Sequence, residues 1–109
     1  SIKAAIAFIQ ENYRSAVSVQ QLAHAAGMSE GHFCRGFKQY TLKTPVQFIN
    51  GVRLSHALEL LTATNLRVLD IAMDCGFNSM SYFIEVFRTE YDATPLQYRK
   101  KLEEIKVPK

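Results

Sequence analysis

The sequence has few of the residues that usually end or interrupt helices: five glycines and three prolines occur among its 109 residues. Together they fall below the share of about 12% that is usual in globular proteins. No stretch alternates apolar and polar residues for long enough to predict a strand. The chain is also too short for two independently folded domains. We therefore expect one all-helical domain.

Cysteines and long apolar runs are scarce as well. Cys34 and Cys75 lack the paired spacing of a disulfide framework or a zinc ribbon, which favours a reducing cytoplasm. No apolar run approaches the roughly 20 residues that cross a bilayer, so we expect no membrane segment. The briefly apolar start does not resemble a secretory signal. Because a helix is predicted almost from Ser1, and this residue is not Met, we expect a domain from a longer protein.

The chemistry of a catalytic or metal site is missing. Thirteen Lys and Arg against ten Asp and Glu give a net charge of +3, which does not by itself prove a polyanionic partner. His32 and Cys34 would point about 200° apart on a helix and cannot jointly hold a metal ion. There is no Gly-rich phosphate loop and no distinctive nucleophile motif. We expect no enzyme, no cofactor and no metal.

Apolar periodicity and capping residues predict seven helices. They are expected at 2–14, between Ser18 and Gly27, at 30–40, at 45–62, from Asn65 to about Gly76, at 79–91, and from Pro95 to about Glu104 before a frayed tail containing Pro108.

Three helix starts carry a capping signal. Ser18 with Gln21 and Thr44 with Gln47 are predicted to form capping boxes, and Ser29 is predicted to cap the third helix. The buried faces are expected to hold an aromatic core made of Tyr13, Tyr40, Phe8, Phe33, Phe37, Phe48, Phe77, Phe83 and Phe87.

The two halves of this pattern repeat each other. Each half has a helix with an Ala followed four residues later by Gly, then a helix with two Phe four apart, then a Thr-Pro helix start. The first part, Val19, Leu22, Ala23 and Gly27, recurs 49 residues later as Val68, Ile71, Ala72 and Gly76; the second, Phe33, Phe37, Lys38, Thr44, Pro45 and Gln47, recurs 50 residues later as Phe83, Phe87, Arg88, Thr94, Pro95 and Gln97. This period indicates a duplicated supersecondary unit.

Each copy is typical of a helix-turn-helix. The Ala lets two helices approach closely, and the Gly then reverses the chain in a conformation with positive φ. In such a motif the second helix presents its free face to a major groove of DNA. The helix at 45–62 would be about 27 Å long at 1.5 Å per residue. When the half-widths of the flanking helices are added, this length predicts that the two outer helices are separated by nearly the ~34 Å between successive major grooves on one side of B-DNA.

The motifs resemble the DNA-binding domain of the AraC/XylS family of bacterial transcription regulators over about residues 2–101. The most specific part is the set Arg53-Leu54, Ala57, Leu61, Ile71-Ala72, Gly76-Phe77, Tyr82-Phe83, Phe87-Arg88, Thr94-Pro95 and Tyr98-Arg99. The resemblance implies seven helices in two helix-turn-helix subdomains, at 1–44 and 63–109, joined by a long central helix at 45–62. Asp92 departs from the family, which commonly has Gly there, so this turn must use another conformation that Asp tolerates.

The resemblance also implies partners. They are double-stranded promoter DNA, RNA polymerase, and an effector-binding or dimerisation domain, usually N-terminal, in the rest of the regulator. Promoter binding in this family activates transcription, or less often represses it.

On the third helix, the face opposite the aromatic residues predicts the DNA contacts. Gly31, His32, Cys34 and Arg35 are the expected base-reading residues, and Ser29, Lys38 and Lys43 the expected phosphate contacts. Arg35 is the first choice because its guanidinium can bond both O6 and N7 of guanine. Residues 31–43 hold three basic groups and no acidic group, which favours attraction to phosphate.

On the sixth helix the equivalent face is less basic. The expected base-reading residues are Met80, Ser81, Ile84 and Glu85, and the expected phosphate contacts are Ser79, Tyr82 and Arg88. Residues 80–92 carry three acidic groups against Arg88, a local charge of −2. Glu85 either accepts from cytosine N4 or stays solvated or paired with an Arg. We expect the first unit to read sequence more strongly than the second.

Several further interpretations stay open. We expect Arg53 to brace the two units through an ion pair rather than to contact DNA. For the basic cluster Arg99, Lys100 and Lys101, a solvated surface and a phosphate contact are equally plausible. The main alternative to a sequence-specific DNA-binding domain is a helical protein-interaction domain that kept the fold without strong DNA binding. A DNA-repair enzyme fused to such a domain is a remote third.

Overall fold

The structure, a computed structural model, describes residues 1–106 and contains seven α-helices and no strand within them. The helices are α1 (Ile2–Asn12), α2 (Val19–Ala25), α3 (Glu30–Thr41), α4 (Pro45–Ala63), α5 (Val68–Asp74), α6 (Met80–Tyr91) and α7 (Pro95–Lys106). Within the described range, no helix is both long and apolar enough to span a membrane. The predicted all-helical fold is confirmed. Pro108, expected in a frayed tail, lies outside the described residues.

The predicted caps form at most helix starts. Ser18 and Gln21 complete a capping box at α2, with Gln21 N–H donating to Ser18 Oγ at 3.0 Å. Thr44 does the same with Gln47 at α4, and Thr94 with Gln97 at α7. Because the first N–H groups of a helix have no partner within it, these side chains fix where each helix begins.

The fifth helix begins later than predicted, at Val68 rather than Asn65. The Thr64 hydroxyl donates to the carbonyl of Leu60 at 2.6 Å and accepts from the N–H of Leu66 at 3.3 Å. These bonds end α4 and hold the next residues in a turn. Arg67 then stands in extended conformation before α5, and its guanidinium pairs with Asp70 at 3.0 Å.

The chain divides into two compact units between Arg53 and Leu54, a boundary that falls within α4. Each unit has its own buried core. The core of the first unit is Ala5, Ile9, Leu22, Ala23, Phe33, Phe37 and Ile49. The core of the second unit is Leu54, Ala57, Leu61, Ile71, Ala72, Cys75, Phe77, Phe83 and Phe87.

The internal repeat is visible in the helices themselves. Helices α2 and α5 have seven residues each, and α3 and α6 have twelve. In both units the first helix of the motif ends at a glycine with positive φ, +70° at Gly27 and +99° at Gly76. The next N–H, from Met28 or Phe77, donates at 3.0 Å to the carbonyl five residues earlier. A helix end with this glycine and this hydrogen bond is a Schellman motif. It turns the chain into the second helix at the same point in both copies.

Two aromatic residues expected in the core are exposed instead. Phe8 is 46% exposed and Tyr40 is 55% exposed. Phe8 lies next to Ile9 on α1, about 100° away around the helix, and so falls outside the buried stripe. Tyr40 lies in the last turn of α3, and Glu90, its equivalent 50 residues later, is exposed as well. The last turn of both helices therefore extends beyond the core.

The second unit contains an aromatic cluster of Phe87, Tyr91 and Tyr98. The ring of Tyr91 lies 4.7 Å from that of Phe87 and 6.0 Å from that of Tyr98, measured between centroids. Burial raises the pKa of the Tyr91 hydroxyl above its ordinary value of 10.0, and the charge of Glu90 adds to the shift. Tyr91 therefore stays neutral beyond the pH at which a solvated tyrosine ionises.

Helices α3 and α6 each end at a residue with left-handed backbone conformation. Leu42 has φ +67° and Asp92 has φ +60°, and the N–H of each donates at 2.8 Å to the carbonyl four residues earlier. Asp tolerates left-handed backbone, as expected for the turn at Asp92, whereas a leucine rarely adopts it. Leu42 is also 84% exposed, so its side chain contributes little burial.

Replacing Leu42 by glycine should therefore stabilise the protein. Leu42→Gly should raise the free energy of unfolding by about 1 kcal/mol, because left-handed backbone costs a residue with a Cβ roughly that amount and costs glycine nothing. Asp92→Gly is the matched control and should gain less. Urea denaturation of both variants measures the difference. A gain at Asp92 equal to that at Leu42 would contradict this account of the turn.

Candidate nucleic-acid interface

The rotation of α3 is fixed by two buried aromatic side chains. Phe33 and Phe37 are each 0% exposed, and their ring centroids lie 5.5 Å apart in the core of the first unit. Because residues four apart share one face of a helix, the opposite face of α3 is open to solvent. The predicted site residues exposed on that face are Gly31, His32, Arg35 and Lys38.

The start of α3 is organised by Ser29. Its Oγ accepts a hydrogen bond from the backbone N–H of His32 at 3.2 Å. The hydroxyl hydrogen remains a donor, and the other N–H groups of the first turn have no partner within the helix. This end of α3 therefore presents several donors of the kind that bind phosphate oxygens.

The exposed face of α3 is basic. The side chains of Arg35, Lys38 and Lys43 have no hydrogen bond or ion pair within residues 1–106. Arg35 and Lys38, with His32, Gly36, Gln39 and Leu42, line a shallow open depression along the helix. Residues 31–43 contain no acidic group, and Glu30 in the first turn is the acidic residue of α3, so basic groups outnumber acidic ones here.

Helix α6 repeats the geometry of α3 with different chemistry. Phe83 and Phe87 are fully buried, and Ser79 Oγ accepts from the N–H of Tyr82 at 3.2 Å. The exposed site residues are Ser81, Tyr82, Glu85 and Arg88. Glu85 therefore stands where α3 has Arg35. The side chains of Glu85 and Arg88 form no ion pair in the part of the chain that the structure describes.

Three predicted base-reading residues lie at the margin of the open faces. Cys34, Met80 and Ile84 are half-buried. Cys34 packs against the core of the first unit and Met80 against that of the second. Only part of each side chain is accessible to a ligand, and their role in base reading stays a prediction.

A family described as "Helix-turn-helix domain" matches residues 22–101, from within α2 to within α7. Relatives of this chain in this family are AraC/XylS transcription regulators, the type that the sequence motifs indicate. The chain belongs to the AraC/XylS family. The fold and the family are those of DNA-binding transcription regulators and not of enzymes.

Three proteins illustrate the similarity to AraC/XylS regulators. Regulatory protein SoxS of Salmonella typhimurium is 35% identical over 101 residues, which cover 93% of this chain and 94% of that protein. A helix-turn-helix regulator of Haemophilus influenzae is 40% identical over 82 residues, 75% of this chain and 28% of that protein. The DNA-binding domain of AdpA, solved in complex with a target DNA, has a TM-score of 0.86 and 29% identity, covering 92% of this chain and 90% of that one.

The chain spans about a third or less of the length of several of these AraC/XylS relatives. The similarity to them therefore concerns the DNA-binding domain.

Two exposed residues on this interface were missed by the sequence analysis. Gln39 and Thr89 occupy equivalent positions, four residues after Arg35 and Glu85 on the same helix faces. The spacing of four residues was the available signal. Thr89 Oγ1 donates to the carbonyl of Glu85 at 2.9 Å, so its hydroxyl is already used within α6. Gln39 extends the open face of α3.

Two of the arginines outside α3 and α6 bind backbone carbonyls. Arg53 Nε donates to the carbonyl of Tyr13 at 2.8 Å, and its Nη2 donates to that of Ser15 at 2.9 Å. Arg53 thus ties α4 to the loop after α1 within the first unit. The ion-pair brace between the units and the lack of a DNA contact stay predictions.

Arg99 does the same in the second unit. Its guanidinium donates to the carbonyls of Leu61 at 3.2 Å, Thr64 at 3.2 Å and Leu66 at 2.6 Å. These are the free carbonyls at the end of α4 and in the loop that follows. Of the predicted basic cluster, Lys100 and Lys101 are exposed, whereas Arg99 fastens α7 to the rest of the unit.

Arg99→Ala should destabilise the protein. The loss should be about 2 kcal/mol in the free energy of unfolding, the order expected when hydrogen bonds from a charged donor are removed. Lys100→Ala, an exposed neighbour, should change stability by no more than about 0.5 kcal/mol. Urea denaturation compares the two. A variant Arg99→Ala of unchanged stability but weakened DNA binding would show that Arg99 contacts phosphate instead.

Proposed function

We propose that this domain reads specific sequences of double-stranded promoter DNA, with α3 and α6 entering two adjacent major grooves. The proposal rests on the exposed face of α3, where residues 31–43 hold three unpaired basic side chains and no acidic one, with Glu30 in the first turn as the acidic residue of this helix. Such a face attracts phosphate through the release of counterions. The AdpA domain, a structural neighbour of this chain, was solved on its target DNA, which supports the same use of the fold here.

Within this proposal, α3 supplies most of the specificity. Arg35 reads a base, because its planar fork is exposed and can bond O6 and N7 of guanine together. His32 and the accessible part of Cys34 lie beside it and contact neighbouring base edges, and Gly31, which has no side chain, leaves room for them in the first turn. Ser29, Lys38 and Lys43 bind phosphate and fix the register of α3 on the duplex.

Helix α6 contributes less to affinity. Residues 80–92 carry a charge of −2, which opposes close approach to phosphate. Ser79, Tyr82 and Arg88 contact the backbone, Ser81 and Glu85 reach base edges, and Met80 and Ile84 add apolar contact at the margin. Glu85 selects for cytosine if it accepts from N4, since a carboxylate opposite an acceptor would be repelled.

The domain regulates transcription as part of a longer protein. Several relatives are three to four times as long as the stretch that they share with this chain. We propose that an effector-binding or dimerisation domain occupies the remainder, and that promoter binding activates transcription by RNA polymerase.

Arg35→Ala and Lys38→Ala should weaken DNA binding in different ways. Arg35→Ala should relax specificity at one base pair, at a cost of about 1–3 kcal/mol for the preferred base only. Lys38→Ala should weaken all duplexes alike and reduce the salt dependence by about one phosphate contact. Fluorescence anisotropy with a selected duplex and with random duplexes separates the two effects. Equal losses of Arg35→Ala on both duplexes would refute base reading by this residue.

Selection from a random DNA pool should recover a split motif. The two parts should lie about one helical turn, roughly 10–10.5 base pairs, apart, because two recognition helices enter adjacent grooves. The half bound by the first unit should be the more strongly defined. Binding should also weaken steeply between two salt concentrations. A protein-interaction domain that lost DNA binding would show neither result, and a single undivided motif would contradict the use of both helices.

A further inference from the structure

Helix α3 has a glycine in its first turn that backbone conformation does not require. The positive φ values among the glycines belong to Gly27 and Gly76, so Gly31 has ordinary helical backbone. Glycine lowers the stability of a helix relative to almost any other residue except proline. The equivalent place in α6 is held by Ser81. Gly31 is also exposed, so burial does not explain it.

The space left by the missing side chain lies against Arg35. A Cβ built on Gly31 would lie 3.4 Å from Nη1 of Arg35; apart from the two flanking residues and the backbone of α3 itself, no other atom of the described residues lies within 4 Å. Long side chains on a helix point back toward its N-terminus, over the residue four positions earlier. The guanidinium of Arg35 therefore lies over the first turn of α3, above Gly31.

The other glycine of α3 has a different use. A Cβ built on Gly36 would lie 3.7 Å from Cδ1 of Ile2, so Gly36 serves the contact between α3 and α1. Helix packing thus accounts for Gly36, whereas the close neighbour of Gly31 is a charged group that has no hydrogen bond or ion pair within residues 1–106.

We infer that Gly31 is a positioning residue that seats the guanidinium of Arg35 over the N-terminal turn of α3. This inference rests on the proposed function, in which Arg35 reads a base. Base edges are met by the N-terminal part of a recognition helix. Bidentate bonding to guanine needs the guanidinium plane to be aligned with the base, and a larger side chain at position 31 would occupy the seat and force another rotamer.

A graded pair of substitutions tests the seat in the free protein. In Gly31→Ala the added Cβ makes only ordinary contact, so the Nε–Hε resonance of Arg35 should stay nearly unchanged in an NMR spectrum. In Gly31→Leu the resonance should shift, because the side chain must move. Ser81→Leu, at the equivalent position of α6, is the control for a general effect of leucine and should leave the Arg35 resonance in place. An unshifted resonance in Gly31→Leu would overturn the seating of Arg35.

DNA binding by the same variants tests what the seat does. Gly31→Ala should raise the thermal stability and keep discrimination at the base pair read by Arg35 within about twofold, since alanine is the better helix former. Gly31→Leu should lower that discrimination by about tenfold, within the range of one bidentate contact. A residue with a merely structural role would change affinity for all duplexes together.

A double-mutant cycle separates positioning from direct contact with DNA. In the Arg35→Ala background, Gly31→Leu should cause no further loss of discrimination, because the group that it displaces is gone. Equal losses in both backgrounds would show that Gly31 acts by letting DNA approach the helix, and would overturn the inference. If Arg35→Ala leaves discrimination intact, the proposed base reading by Arg35 is wrong, and the NMR shift alone then decides whether Gly31 seats the guanidinium.

Discussion

The burial of two phenylalanines four residues apart determines what each recognition helix can present. Phe33 and Phe37 are completely enclosed in the first unit, as are Phe83 and Phe87 in the second. With two successive turns held in the core, α3 and α6 cannot rotate about their axes. The Schellman turn at the preceding glycine fixes where each of these helices starts. Which residues face outward then follows from their angle around the helix axis, measured from the two phenylalanines.

The same frame carries different surfaces in the two units. Buried positions match closely across the repeat, as Ala23 matches Ala72. Exposed positions do not, since Arg35 corresponds to Glu85 and Gly31 to Ser81. The core limits a buried residue by volume and shape, whereas an outward residue is limited only by what it meets. A duplicated motif can therefore keep its fold while one copy presents a basic surface and the other a more acidic one.

Positive charge in the sequence serves two separate purposes. Arg53 and Arg99 satisfy carbonyl groups that the ends of α1 and α4 leave free, and so hold the last helix of each unit in place. Arg35 and Lys38 lack such partners within the described residues and face solvent. The division shows why the modest net charge of the chain says little about its interface. A polyanion is attracted mainly by the cationic side chains that are not already bonded to carbonyl groups of the protein itself.

Local patterns in the sequence determined the seven helices, their capping residues, the repeat, and the faces of α3 and α6. Each depends on residues within a few positions of one another, and helical periodicity converts such spacing directly into angle. Tertiary structure alone decided the exposure of Tyr40 and the carbonyl contacts of Arg99. The exposure of Phe8 and the late start of α5 have local causes instead, the angle of Phe8 to the buried stripe of α1 and the hydrogen bonds of Thr64. Periodicity gives the angle of a side chain but not how far a neighbouring helix extends beside it. The carbonyl partners of Arg99 lie more than 30 residues earlier in the chain, a separation that no local pattern encodes.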